Sequence, residues 1–102
     1  MQGVLESPSI ELMMLSAFAL GVARGKDPQR GLGWAIRRFR FEADLTQSAL
    51  AQRVKVHPSQ ISRLEKGTDN PRWATVRRVA AGLGVTLAEL AAVAEEFEER
   101  RQ

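Results

Sequence analysis

Two short helical segments joined by a tight turn, between Leu45 and Gly67, constrain the fold of this chain more than any other feature of its sequence. Thr46 is a favourable cap for the first segment, and Pro58 fits the first turn of the second. Apolar side chains recur at helical spacing on one side of both segments, and they are Leu50, Ala51, Val54, Ile61 and Leu64. The other side of the second segment is polar or basic. The pattern therefore predicts two helices that share one core and expose the polar face of the second helix.

Composition and charge narrow the class of protein. The chain has 102 residues and a hydrophobic content of 44%, enough for one small domain. It contains no cysteine, which excludes a disulfide framework and a thiolate metal site and fits a cytoplasmic protein. Residues 32–94 carry ten Lys or Arg side chains against five Asp or Glu, whereas residues 95–102 are net acidic and are predicted to form a charged tail. The excess positive charge therefore lies in the same segment as the two-helix pattern, and it would attract phosphates there.

Residues 1–31 are predicted to form an apolar helix followed by a linker. A Ser-Pro pair makes a favourable helix start, and residues 10–23 are apolar on almost every side. This stretch is shorter than the roughly 20 residues of a membrane span, and no basic residues precede it as in a signal peptide. Such a helix must be buried. Three partners stay open: a face formed by Trp34 and Phe41, a second copy of the chain in a dimer, or the core of the monomer. The last helix, with Leu90, Val93 and Phe97, is the other candidate dimer interface.

Residues 32–94 are predicted to form five helices. The first spans about 32–44, with a core stripe of Leu32, Ile36, Phe39 and Ala43. After the two central helices, Asn70 is expected to cap a fourth helix, whose buried side consists of Trp73, Val76, Val79, Ala80 and Leu83. Thr86 and Glu89 form a capping box that opens the last helix. Nothing in the sequence predicts a strand, so the predicted fold class is all-α.

Several motifs lie in and around the two central helices, and they are Ile36, Arg40, Leu45-Thr46-Gln47, Leu50-Ala51, Val56 in the turn, Ile61-Ser62-Arg63-Leu64-Glu65-Lys66-Gly67, Asn70-Pro71 and Leu83-Gly84-Val85-Thr86-Leu87-Ala88-Glu89-Leu90. With these motifs the chain, from about Leu32 to Leu90, resembles the phage repressor and Cro-like helix-turn-helix family, also called the xenobiotic-response-element type. The resemblance implies a compact five-helix repressor-like DNA-binding domain, in which the second central helix enters the major groove. The apolar N-terminal helix is an addition to that domain.

Two positions depart from the family pattern. Lys55 stands in the turn where the family often has glycine, and a lysine in the left-handed conformation costs about 1 kcal/mol or more. His57 stands where the family tends to have serine or threonine, and histidine is a poorer helix cap than either.

The resemblance and the side-chain chemistry together predict a DNA-contacting surface. Candidates for reading bases lie on the second central helix, about Pro58–Lys66, and they are Pro58, Ser59, Gln60, Ser62 and Arg63. Arginine bonds O6 and N7 of guanine in a bidentate way, so Arg63 can specify a guanine. Candidates for phosphate contacts are Gln47, His57, Lys66, Asn70 and Arg72, although His57 fits a helix cap equally well. In the family the positions of Arg40 and Glu65 form an ion pair, so these two residues are expected to be structural.

These features predict a sequence-specific regulator that binds double-stranded DNA, a transcriptional repressor acting as a homodimer on a palindromic operator in a bacterial or phage-type cytoplasm. The alternative is an antitoxin or another protein-interaction module whose N-terminal helix binds a partner protein such as a toxin; the two functions are compatible. An enzyme is not expected, because the sequence holds no nucleophile–base pair, and Gly31-Leu32-Gly33 is too short to be a phosphate-cradling loop. No metal, cofactor or membrane partner is predicted, since His57 is the only histidine and has no ligands spaced around it.

Overall fold

The computed structural model describes residues 28–101, and the regular structure in that range is helical throughout. Its five helices are α1 (Arg30–Glu42), α2 (Gln47–Val54), α3 (Pro58–Lys66), α4 (Trp73–Leu83) and α5 (Leu87–Arg101). The predicted all-α, five-helix architecture is thereby confirmed. The predicted apolar helix of residues 10–23 lies outside the described residues. None of the five described helices is long and apolar enough to span a membrane.

A small aliphatic core lies between the five helices. Each helix contributes at least one buried side chain to it, and the core residues are Ala35, Ile36, Leu50, Ala51, Val54, Ile61, Leu64, Val79, Ala80, Leu83 and Leu90. They include every inward-facing residue predicted for the two central helices. α2 and α3 have only eight and nine residues, which is too few for a stable isolated helix. Their helical structure therefore depends on burying these side chains against the neighbouring helices.

α1 begins two residues before its predicted start at Leu32, so Gly31 lies inside this helix together with Gly33. Both glycines are buried because neighbouring backbones pass very close to them. A Cβ on Gly33 would lie 2.5 Å from the carbonyl oxygen of Glu65 in α3. A Cβ on Gly31 would lie 2.5 Å from the carbonyl oxygen of Ala94 in α5. The helical cost of glycine, about 1 kcal/mol at each position, is therefore offset by the close packing of α1 on α3 and α5.

The first four helices end in the same way. After each of them one residue adopts the left-handed conformation, and the next residue donates its N–H to the carbonyl oxygen five positions earlier, as in a Schellman motif. The left-handed residues, with φ of 59°, 61°, 77° and 74°, are Asp44, Lys55, Gly67 and Gly84. The donated bonds run from Leu45 to Arg40, from Val56 to Ala51, from Thr68 to Arg63 and from Val85 to Ala80. Ala43 lies in the first of these turns and is exposed, so its predicted place in the core is wrong.

α4 begins later than predicted, and Asn70 is not its cap. The helix starts at Trp73, and Arg72 occupies the cap position without a side-chain hydrogen bond to the first turn. Trp73 is 66% exposed, so its predicted burial is also wrong. Helical side chains point toward the N-terminus of their helix, so a residue in the first position projects past the helix end. Thr75 lies on the buried side in its place, together with Val79, Ala80 and Leu83.

α5 runs from Leu87 to Arg101, and so through the charged segment at the end of the described residues. It opens with the predicted capping box, in which the N–H of Glu89 donates to Oγ1 of Thr86 at 3.0 Å and the N–H of Thr86 donates to Oε1 of Glu89 at 2.8 Å. Residues 95–101, assigned from the sequence to a charged tail, continue the helix and pack along α1. In this second half the ring of Phe97 stacks on that of Trp34, with 5.7 Å between the ring centroids.

A buried ion pair ties three helices together. Nε and Nη2 of Arg40 in α1 donate to the carboxylate oxygens of Glu65 in α3 at 2.5 and 3.0 Å. Nη1 of Arg40 donates to the carbonyl oxygen of Leu45 at 2.8 Å, and Nε2 of Gln47 in α2 donates to Oε1 of Glu65 at 3.0 Å. The side chains of the pair are only 9% and 5% exposed. The ion pair between Arg40 and Glu65 that the resemblance implied is therefore present, and Gln47 of α2 also donates to its carboxylate.

We expect Lys55→Gly to raise the free energy of unfolding by about 0.5–1 kcal/mol. The left-handed conformation costs a lysine roughly 1–2 kcal/mol, and the larger backbone entropy that glycine loses on folding offsets only part of this. Chemical denaturation measures the change. The control is Gln52→Gly, at an exposed, right-handed position of α2, where we expect a loss of about 1 kcal/mol. A loss in both variants would contradict the strain assigned to the turn.

We expect Glu65→Ala to lower the free energy of unfolding by about 3–5 kcal/mol, because Arg40 would keep a buried charge without its partner. Urea and thermal unfolding measure the loss. Glu42→Ala is the control, since it removes an exposed partner of Arg38 and should change stability by less than about 0.5 kcal/mol. Wild-type melting of the Glu65→Ala protein, combined with lost binding activity, would show that Glu65 acts in recognition instead.

Candidate nucleic-acid interface

The outer face of α3 is positioned by its buried face. Ile61 and Leu64 are 0% and 2% exposed, and they set the rotation of the helix against the core. The predicted base-reading residues consequently lie on the outer side or at its edge, with Gln60 and Ser62 half-buried and three residues exposed, Pro58, Ser59 and Arg63.

His57 caps the start of α3. Its Nδ1 accepts the backbone N–H of Ser59 at 3.1 Å and lies 2.8 Å from Oγ of the same serine. Of the two roles predicted for His57, the ring therefore has that of a helix cap in this structure. Because Nδ1 accepts a hydrogen bond, the neutral ring carries its proton on Nε2, and this second nitrogen can still donate to an external acceptor.

A line of polar side chains runs along the exposed face of α3. Nη1 of Arg63 donates to Oγ of Ser59 at 3.3 Å, and that hydroxyl also contacts His57. At the other end, Nε of Arg63 donates to the two carboxylate oxygens of Asp69, at 3.2 Å each. The guanidinium group is thus held from two sides while its side chain stays 52% exposed. Asp69 is absent from the residues predicted for the site.

Gln47 lies where the sequence placed it, at the first position of α2, but its amide is engaged inside the protein. Nε2 donates to Glu65, so the side chain belongs to the buried ion-pair network. Thr46 accepts the N–H of Ala49 at 3.0 Å. The other backbone N–H groups of the first turn have no acceptor within the helix, and they point outward from its positive end.

A shallow depression of about 280 Å³ lies where α1, α2 and α3 meet, next to the outer face of α3. It is lined by Arg37, Arg40, Gln47, Ser62, Glu65 and Lys66. Two exposed cationic side chains, Arg37 and Lys66, therefore stand at a site that also carries the hydroxyl of Ser62. The structure brings together two predicted phosphate contacts, Gln47 and Lys66, and one predicted base contact, Ser62.

The segment between α3 and α4 carries the remaining predicted phosphate contacts. Asn70 and Arg72 are both exposed there, and Arg72 stands directly before the start of α4. The acids of the neighbourhood are already paired, since Glu65 bonds Arg40 and Asp69 bonds Arg63. Lys66 and Arg72 form no ion pair within residues 28–101, so this side of the domain carries uncompensated positive charge.

Sequence reasoning missed one residue of this surface, Asp69. From the sequence, Arg37 and Arg38 are equally candidates for DNA contacts and for solubilising surface charges, and the packing of α1 on α3 places Arg37 beside Lys66. Asp69 follows the Schellman turn at Gly67, a motif that reverses the chain. The glycine at the end of α3 was therefore the available signal that a loop side chain returns to the helix. Within the described part of the chain, no three His, Cys, Asp or Glu residues group so that they could hold a metal ion.

Comparison with known sequences agrees with this geometry. A family model described as a helix-turn-helix domain matches residues 31–93. The cryptic phage CTXphi transcriptional repressor RstR of Vibrio cholerae is 38% identical over 60 residues, which cover 59% of this chain and 54% of the repressor. The chain therefore spans about half the length of the curated relative that it matches.

Solved structures share the arrangement of helices. The clp gene regulator ClgR from Corynebacterium glutamicum superposes with a TM-score of 0.70 at 27% identity, covering 72% of this chain and 78% of that one. The restriction-modification controller protein C.AhdI from Aeromonas hydrophila superposes with a TM-score of 0.59 at 24% identity, covering 61% and 94%. With its family match across residues 31–93, the chain belongs to the helix-turn-helix domain family, in the phage repressor and Cro-like type that its motifs indicate.

Proposed function

We propose that this protein is a sequence-specific regulator of transcription that binds double-stranded DNA in the cytoplasm with α3 in the major groove. The observation that carries the proposal is the outer face of α3, where Ser59 and Arg63 are held in one orientation while the opposite face is locked in the core. An α-helix with its side chains is about 10–12 Å in diameter, which fits the roughly 12 Å width of the major groove. The protein acts by binding alone, without covalent chemistry.

Base reading in this proposal depends mainly on Arg63. One N–H of Nη1 and both N–H groups of Nη2 carry no bond within residues 28–101, and two neighbouring donors among them match O6 and N7 of a guanine. Ser59 lies one turn earlier on the same face and can bond a base edge directly. Pro58 offers only apolar contact, which suits a thymine methyl group, and the half-buried Gln60 and Ser62 reach bases or sugars at the edges of the contact.

Phosphate contacts surround α3 in this proposal. The free N–H groups at the start of α2, beginning with Gln47, can bind one phosphate at the positive end of the helix dipole. The depression between α1, α2 and α3 offers Arg37, Ser62 and Lys66 to the same strand. Arg72 and Asn70, in the segment before α4, can contact the next phosphates. Such contacts set the orientation of the domain but carry no sequence information.

We infer a homodimer on a palindromic operator, because two copies related by a two-fold axis read half-sites about 34 Å apart. Residues 32–94 form the DNA-binding unit, and residues 1–31 are the segment that we assign to packing or dimerisation. The adjacent faces of Trp34 and Phe41 are 43% and 58% exposed, which leaves apolar surface for such a contact. RstR is named a transcriptional repressor. This protein would have the same role if it excludes polymerase from a promoter when it is bound there.

A protein partner is the second candidate function, and the exposed aromatic pair Trp34 and Phe41 favours it. In an antitoxin or another interaction module, the apolar residues 10–23 would bind that partner, for example a toxin. This function is compatible with DNA binding. A chain that selects no DNA sequence would leave the protein partner as the main function.

We expect selection from a random duplex library to enrich a palindromic site with half-sites about ten base pairs apart. Arg63→Ala should relax the preference at one base pair of each half-site, corresponding to about 1–3 kcal/mol of lost discrimination. Arg100→Ala is the control, since Arg100 lies in the last turn of α5 and should leave the selected site unchanged. Identical sites for all three proteins would remove Arg63 from the base-reading set.

We expect operator affinity to fall steeply with salt, by about 10³-fold or more between 50 and 200 mM if six or more phosphates are contacted. Lys66→Ala should reduce the slope of log affinity against log salt by about 1, and equally for specific and random duplexes. Fluorescence anisotropy over a salt series measures both slopes. A Lys66→Ala protein with the wild-type slope would show that this lysine meets no phosphate.

A further inference from the structure

The loop after α3 places a carboxylate on the base-reading arginine. The Schellman turn at Gly67 reverses the chain, and the N–H and Oγ1 of Thr68 donate to the carbonyl oxygen of Arg63 at 3.2 and 3.3 Å. This return brings both oxygens of Asp69 to 3.2 Å from Nε of Arg63. The side chain of Asp69 is 27% exposed. The contact therefore forms at the edge of the outer face of α3, and not in the core.

A carboxylate in this position weakens general attraction to DNA. Phosphates repel it, and it offsets the charge of the arginine that it contacts. Within residues 57–73 the other acid is Glu65, whose charge is already paired with that of Arg40 in the interior. Asp69 is thus the one acidic group in this segment that faces the proposed DNA surface. Its contribution to recognition must come from what it does to Arg63.

We propose that Asp69 is a positioning residue that makes Arg63 specific for guanine; this inference rests on the proposed function. Nε is held by Asp69, and Nη1 is held by Ser59, whose hydroxyl in turn contacts Nδ1 of His57. These bonds hold the planar guanidinium group from two sides and use two of its five N–H groups. In the part of the chain that the structure describes, the N–H groups that stay free are one on Nη1 and two on Nη2, and two neighbouring donors among them match O6 and N7 of a base.

Without this restraint, the arginine side chain would rotate toward the nearest phosphate and bind DNA of any sequence. Asp69 disfavours that outcome in two ways, because it fixes the side chain and repels the phosphates around it. The expected result is lower affinity for random DNA together with stronger discrimination at one base pair. A restraint that exists before binding also reduces the conformational entropy lost when the base is contacted.

Asp69→Asn tests the proposal, because it removes the charge and keeps the shape. Affinities are measured for the selected operator, for the operator with the guanine read by Arg63 replaced, and for a random duplex. We expect the variant to bind random DNA more tightly, with a salt slope steeper by about 0.9, and to lose about fivefold or more of its guanine discrimination. The matched control is Glu99→Gln, which removes an equal charge from the last turn of α5 and should leave discrimination unchanged.

A second pair of variants separates positioning from a merely structural role of the loop. In an Arg63→Ala background, Asp69→Asn should no longer alter the preference at that base pair, because its effect passes through the arginine. An effect that persists without Arg63, or discrimination that stays at the wild-type level in Asp69→Asn, would overturn the inference while leaving a selected site and the proposed function intact. A wild-type protein that selects no sequence at all would overturn both.

Discussion

The buried carboxylate of Glu65 is the interaction on which the placement of the other parts depends. It receives two bonds from Arg40 in α1 and one from Gln47 in α2, and it is itself part of α3. Apolar burial is non-directional and would allow these helices to slide or rotate on one another. A buried charge that loses its partners costs several kcal/mol, so arrangements that separate these three residues are strongly disfavoured. The ion pair adds direction to a core that consists of small aliphatic side chains.

The outer face of α3 has a defined orientation because the inner face of this helix is packed in the core. Ile61 and Leu64 are buried in the core, and Gly33 lets the backbone of α1 come so close to α3 that a single methyl group would not fit between them. Hydrogen bonds at both ends of the helix, from the cap at His57 to the turn at Gly67, then fix the exposed side chains. A recognition surface on a nine-residue helix therefore draws its rigidity from the whole domain.

Local features of the sequence were predicted correctly where the interacting groups are close neighbours in the chain. The cap at Thr46 and the box of Thr86 with Glu89 each involve residues three apart. The predicted cap at Asn70 is also local and failed, because α4 begins only at Trp73. Trp73 follows the apolar period of α4 but stands at the very start of that helix, where no core reaches it.

In the candidate site, too, the sequence predicts the outward-facing residues but not the groups that they bond. The identity of the outward-facing residues of α3 follows from the apolar period of that helix, because burying Ile61 and Leu64 leaves Ser59 and Arg63 outside. The partners of these residues do not follow from it. Gln47 is a predicted phosphate contact, and its amide also donates to Glu65, a residue that becomes its neighbour only when α1, α2 and α3 pack.

Caps, turns and apolar periodicity act over a few residues, so the sequence is enough to predict the helical fold class, the two short central helices, and the side of α3 that is exposed. Packing of the helices sets which polar groups pair with one another. It gave Arg40 and Gln47 a common carboxylate, placed Arg37 beside Lys66, and folded Asp69 back onto Arg63. The physical reason is that a side chain bonds whichever group packing brings within about 3 Å, and sequence spacing does not specify that distance.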